Sequence, residues 1–141
     1  MTQTGTDITG GCLCAAVRFR STAAPLGVRH CWCRDCQHIA GGNATVNVIF
    51  PADAVSVEGE TATYESRAAS GNLMRRRFCP QCGSPLFSQS EARTHLIIVR
   101  AGALDDPNAI EPAGSIWVAS APRWACVDPD LPQIPGQPPP A

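Results

Sequence analysis

Three cysteines fall within six residues, Cys31-Trp32-Cys33-Arg34-Asp35-Cys36, in the spacing C-x-C-x-x-C. Two thiol pairs flank them, Cys12 and Cys14 upstream and Cys79 and Cys82 downstream, so seven of the eight cysteines occupy three short clusters. Thiolates grouped in this way converge on a soft cation, for which zinc is the usual occupant. A secreted disulfide framework is the competing explanation. It goes with dispersed cysteines and a leader sequence, and a C-x-C disulfide would close a very small, strained ring. Here the cysteines are clustered, and Met1 to Gly10 is polar with no apolar run of the kind a signal peptide carries. No apolar stretch approaches membrane-spanning length. The expectation is a metal-binding protein, soluble and cytoplasmic, with no membrane partner.

A chain of 141 residues supports one domain with a modest core. Charged residues make up only 16%, while 13 Pro and 12 Gly favour short strands and turns over long helices. All 11 basic residues are Arg, and the net charge is -1. Seven thiolates and two zinc ions would leave the charge negative. With no basic footprint, and no histidine pairs at finger spacing, nucleic acid is excluded as a partner.

Along the chain, residues 1–8 read as a loose N-terminus, 9–128 as a single zinc-binding domain and 129–141 as a Pro-rich extended tail with no core of its own. Gly10 to Cys14 reads as a tight knuckle leading into a strand. Val17 and Phe19 alternate with Arg18 and Arg20, the period-two pattern of a half-buried strand. Residues 26–30 form a second short strand that delivers the chain to Cys31. Residues 34–40 suit one or two helical turns ended by Gly41-Gly42. Residues 44–50 are β-rich. The stretches 54–58 and 61–65 alternate, with Gly59 at the turn between them. Strands at 72–78 and 85–88 flank Cys79-Pro80-Gln81-Cys82-Gly83 as the hairpin of a zinc ribbon. The apolar run 95–100 is the best buried strand; 104–112 is a loop, and 115–119 a last strand. The fold class is all-β, with metal knuckles at strand ends.

A structural zinc takes four protein ligands, whereas a catalytic zinc keeps one position open. Cys12, Cys14, Cys79 and Cys82 make the simplest closed site, and it would tie together segments far apart in the chain. Cys31, Cys33 and Cys36 are left with three sulfurs. Either their site is open, or it is closed by Cys126, His30 or His38. His30 is awkwardly adjacent to Cys31, and Cys126, alone after Trp124, reads as a buried thiol.

Taken together, Gly11-Cys12-Leu13-Cys14, His30-Cys31-Trp32-Cys33-Arg34-Asp35-Cys36 and Cys79-Pro80-Gln81-Cys82-Gly83-Ser84-Pro85-Leu86-Phe87 resemble the glutathione-dependent formaldehyde-activating enzyme (Gfa) family, whose domain is shared with centromere protein V. The similarity continues through Gly41-Gly42, Tyr64-Glu65-Ser66 and Asp130-Leu131-Pro132. The resemblance implies a β-tent of stacked short antiparallel sheets. It also implies two zinc ions per chain, a structural one on the outer pairs and a catalytic one on Cys31, Cys33 and Cys36. The implied activity is that of a carbon–sulfur lyase, an S-hydroxymethylglutathione synthase, with a glutathione-like thiol and an aldehyde as small-molecule partners.

Glutathione is anionic, and Arg clamps carboxylates bidentately. Arg34, between two ligands, and Arg75, in the run Arg75 to Arg77 before the third cluster, are the candidate substrate contacts. An exposed strand face with alternating sides is the other reading of that run. Trp32 walls the pocket or packs the core, His38 is a proton shuttle or a surface residue, and His95 reads as structural. The alternative function is a non-catalytic, zinc-stabilised thiol- or protein-binding module, a role suited to a Pro-rich tail that docks on partners.

Overall fold

The computed structural model describes residues 7–139. Ten strands and one helix follow in order: β1 (Ile8–Gly11), β2 (Arg18–Ser21), β3 (Gly27–Cys31), α1 (Arg34–Ala40), β4 (Thr45–Pro51), β5 (Val55–Glu58), β6 (Ala62–Arg67), β7 (Leu73–Phe78), β8 (Pro85–Ser90), β9 (Leu96–Arg100) and β10 (Ser115–Ile116). They form a three-stranded sheet, β1-β2-β5, and a seven-stranded sheet, β10-β3-β4-β9-β8-β7-β6. All pairings are antiparallel except that of β10 with β3. The mostly β architecture of stacked sheets is the expected one.

The sheets hold together because successive strand side chains point to opposite faces. On the large sheet, Val48 and Phe50 from β4, Ile97 and Val99 from β9 and Phe87 from β8 join Phe19 of the small sheet in one buried cluster. The Phe19 and Phe87 rings meet edge to face, 5.5 Å between centroids. Each such side chain contributes about 1.5–3 kcal/mol relative to leaving it in water. The alternate residues of the same strands, Asn47 and Ile49 on β4 and Ile98 and Arg100 on β9, line a cavity instead. One sheet thus provides the core with one face and the site with the other.

The helix forms where expected. The Cys33 side chain caps its start by accepting the Cys36 backbone N–H, and Gly41, at φ 78°, ends it in a left-handed conformation that glycine adopts without steric penalty. The β7–β8 hairpin around the third cysteine cluster is also present. Other details differ from the sequence expectation. Gly10 and Gly11 belong to a strand, β1, that precedes the first knuckle. The alternating stretches either side of Gly59 do not pair with each other. β5 closes the small sheet beside β2, and β6 lies at the far edge of the large one beside β7. Gly59 turns the chain between the sheets at φ 98°, where a Cβ would come within 2.2 Å of the Ala16 carbonyl oxygen. The strand expected at 115–119 is two residues long and gives way to a 3-10 turn at Val118–Ser120.

Residues 1–6 of the expected loose N-terminus lie outside the described residues, and Ile8 is already paired in β1. After Asp128 the chain is extended, as its prolines require. It does not stand free: Ser115 donates its N–H to Pro132 O at 2.9 Å, Ile134 donates to Ser115 O at 2.9 Å, and Val118 donates to Ile134 O at 3.2 Å. The tail runs along β10 as an added edge. Among the described residues, no helix is long and apolar enough to cross a membrane.

Candidate metal centres and the cavity beside them

The sulfurs of Cys12, Cys14, Cys79 and Cys82 lie within 4.8 Å of one another. Cys12 and Cys14 Sγ are 3.6 Å apart, and Cys14 and Cys79 Sγ 3.7 Å. Four sulfurs at the usual zinc–sulfur bond length would be about 3.8 Å apart at tetrahedral corners. The donors around them suit thiolates: Val17 N–H points to Cys12 Sγ at 3.2 Å, and Gln81 and Cys82 N–H to Cys79 Sγ at 3.3 and 3.4 Å. Bonds from Ser84 draw the Cys82 thiol down to about 5. Ser84 Oγ also accepts the Leu13 N–H at 3.0 Å, joining the two knuckles directly. This donor set fits a closed tetrahedral zinc site.

The second group is Cys31, Cys33 and Cys36, all buried, with sulfurs again within 4.8 Å of one another. Cys31 ends β3, Cys33 caps α1 and Cys36 lies in its first turn. The Cys36 thiol is held far below its ordinary value by hydrogen bonds from Cys31 and Cys33, while Cys31 is raised by its bonds with Cys33 and Cys36 and by burial. Three thiols this close share negative charge, and only a cation lets all three ionise together. Among the described residues, no fourth Cys, His, Asp or Glu joins them. Cys126 is exposed, contrary to the buried thiol expected, and so is His38. All eight cysteines are free thiols.

The trio opens onto a cavity of about 510 Å³. Arg29, Arg76, Arg93 and Arg100 line it, and no Asp or Glu does so among the described residues. Arg29 and Cys31 sit two apart on β3, hence on one face. Asn47, directly opposite Arg29 on one side and Arg100 on the other, links the two rows. Arg100 is only 8% exposed. Burial presses its pKa down, against the pull of the nearby Cys36 thiolate. Arg76 reaches Ser66 Oγ at 2.7 Å and Asp35 at 3.4 Å. The Nε atoms of Arg29 and Arg76 are buried with no partner.

Arg34 and Arg75 do not line the cavity. Arg34 is exposed and bonds Gln37 Oε1. Arg75 pairs with Glu65 at 2.6 Å and Glu91 at 3.2 Å on the outer face of β7. Its neighbours divide as strand alternation requires, Arg76 facing the cavity and Arg77 lying over the Phe87 ring. Trp32 is buried, 3% exposed, and is not part of the cavity wall, whereas His95 is.

The sequence pattern of the glutathione-dependent formaldehyde-activating enzyme family matches residues 7–120, most of the chain and all three cysteine clusters. The chain belongs to this family. No curated protein matches it. Among solved structures it is similar to a crystal structure of a Rhodobacter sphaeroides protein, with a TM-score of 0.57 and 19% identity over 74% of this chain and 91% of that one. That likeness is one of fold. Within the family match, Arg29, Asn47 and Arg100 were not singled out by the sequence. The available signal was the position of Arg29, two residues before Cys31, the first cysteine of the trio. The segment 121–139, beyond the match, contributes Gln137, Pro138 and Pro139 to the cavity.

Proposed function

We propose that the protein is a zinc-dependent carbon–sulfur lyase of the Gfa kind, which forms or cleaves the adduct of an anionic thiol and an aldehyde, with S-hydroxymethylglutathione as the reference adduct. The reading rests on one observation above all: a buried three-thiol group opens onto a cavity carrying four guanidinium groups and no carboxylate among the described residues.

In this reading Cys12, Cys14, Cys79 and Cys82 hold a structural zinc, and Cys31, Cys33 and Cys36 hold a second one. A zinc ion on the trio would supply a fourth position that holds a thiol as its thiolate. The chain's own residues supply the rest. The guanidinium groups of Arg29 and Arg76, on the cavity lining, receive the thiol's carboxylates, a charge-assisted contact suited to planar anions. Arg100 balances the negative charge that three thiolates leave on a doubly charged cation, and Asn47 fixes its guanidinium. With the thiol oriented, its sulfur adds to the aldehyde carbon. One carbon–sulfur bond forms, the carbonyl π bond opens, and the proton lost from sulfur ends on the former carbonyl oxygen. Cleavage runs the same steps backwards. Arg34 and Arg75 have no substrate contact here.

The test is the rate of exchange between formaldehyde, glutathione and their adduct, followed by NMR with and without the zinc-loaded protein. Faster exchange, lost in Cys33→Ser, supports the lyase. Exchange at the protein-free rate, from protein shown to hold two zinc ions, leaves a thiol-binding module and removes the enzymatic reading.

A further inference from the structure

Trp117 follows Ile116, the residue paired in register with Cys31. Its backbone is left-handed, at φ 58° and ψ 32°. Bulky L-residues rarely adopt that conformation, and where one does the surroundings hold it there. In this chain the C-terminal segment does the holding. Trp117 donates its backbone N–H to Gly136 O at 3.3 Å and its indole N–H to Gln137 Oε1 at 3.0 Å. On its other side the Trp117 carbonyl oxygen accepts the Ser120 N–H at 3.0 Å. The half-buried Trp117 packs against the cluster of Cys31, Cys33, Cys36 and Ile116, and it lines the cavity together with Gln137 and Pro138.

We infer that Trp117, locked in place by residues 132–139, is a specificity-determining wall of the cavity, along which the organic body of a long thiol substrate lies while its sulfur meets the trio. The inference rests on the function proposed above and assigns the selection of thiol length within it. An ordinary extended residue after β10 would carry the ring onward along the strand. The left-handed turn instead sets it beside the sulfurs, and the tail bonds keep it there. Arg29 on β3 and Arg76 on β7, both lining the cavity, would receive the far anionic groups of a thiol too long to lie over the trio alone. A two-carbon thiol meets at most the part of the indole beside the sulfurs and does not extend along the ring to those guanidiniums.

Two variants test this. Trp117→Gly removes the ring at a backbone position that glycine tolerates, and a chain ending at Pro135 removes the anchor. With cobalt in place of zinc, visible spectra would be titrated with glutathione and with 2-mercaptoethanol. Glutathione binding should weaken by about tenfold in both variants, the scale of one well-made aromatic contact, while 2-mercaptoethanol binding should weaken far less. Equal weakening for both thiols, or none, overturns the inference and leaves the lyase reading standing. If the unaltered protein binds neither thiol, the lyase reading fails. The inference, which rests on that reading, falls with it.

Discussion

Arg100 donates a 2.5 Å hydrogen bond from Nη1 to Oδ1 of Asn47, its register partner on the adjoining strand. Asn47 is neutral, so this buried guanidinium has its counter-charge elsewhere, in the thiolates of the trio. Replacing Arg100 by Met should lower the zinc affinity of the Cys31, Cys33, Cys36 site by about ten- to a hundredfold, the range found for outer partners of metal ligands. The four-thiol site should be unaffected. Competition with a chelator, resolving the two ions, measures both at once.

The two cysteine clusters, each able to hold a metal ion, should differ in what they do for stability. Cys12 and Cys14 are brought to Cys79 and Cys82 across 65 residues of sequence, Cys14 to Cys79. Opening that site releases a long loop, whereas Cys33 belongs to a compact group within six residues. Cys79→Ser should cost several kcal/mol, enough to unfold much of a domain whose total stability is about 5–15 kcal/mol. Cys33→Ser should leave a folded protein with one zinc. Thermal unfolding with metal analysis of each variant checks this, and equal losses of Tm would mean two structural sites.

The gathering of Cys12, Cys14, Cys79 and Cys82 was legible in the sequence because these cysteines come as short-range pairs, and helix α1 because Cys33 and Gly41 mark its ends. The cavity was much less so. Which residues face it depends on strand register, which pairs Asn47 with Arg100 53 positions away. No local pattern encodes that partnership. Arg29 was within reach, since the two-residue spacing to Cys31 already sets both on one face of the strand. The run Arg75 to Arg77 announced alternation without saying which member turned inward. The strands around Gly59 had the right period but separate sheets, a choice made by the burial of Phe19 and Val57 rather than by the turn. The sequence offered no sign of the left-handed Trp117, because its conformation is held by a tail that reads as merely proline-rich.

The arginines inside and outside the cavity should separate in function. Arg29→Ala and Arg76→Ala should each weaken the binding of an anionic thiol by about tenfold, in the range of a charge-assisted hydrogen bond. Arg34→Ala and Arg75→Ala should leave it unchanged, since those side chains hold Gln37, Glu65 and Glu91. Calorimetric titration of zinc-loaded variants with glutathione distinguishes the two pairs.

A small acid-sensitive term lies away from the site. Asp105 receives both terminal nitrogens of Arg18 and the Thr9 hydroxyl, and the Arg18 bond holds its carboxyl below the ordinary value of 3.8. The lowered folded value means this tie is fully present above the ordinary carboxyl pKa and fades as the pH falls through the folded one. Both partners are nearly half exposed, so Asp105→Asn should cost under about 1 kcal/mol. The difference in Tm between this variant and the parent should shrink on acidification below the ordinary value.

The most direct test of the account is the response of the trio to a thiol. Cobalt substituted at both sites gives a visible spectrum that follows ligand identity. Addition of glutathione should change the part of the spectrum that Cys33→Ser abolishes, and leave the four-thiol part as it was. A spectrum indifferent to glutathione at both sites, with the trio's cobalt already held by four protein atoms, would contradict an open, thiol-accepting centre.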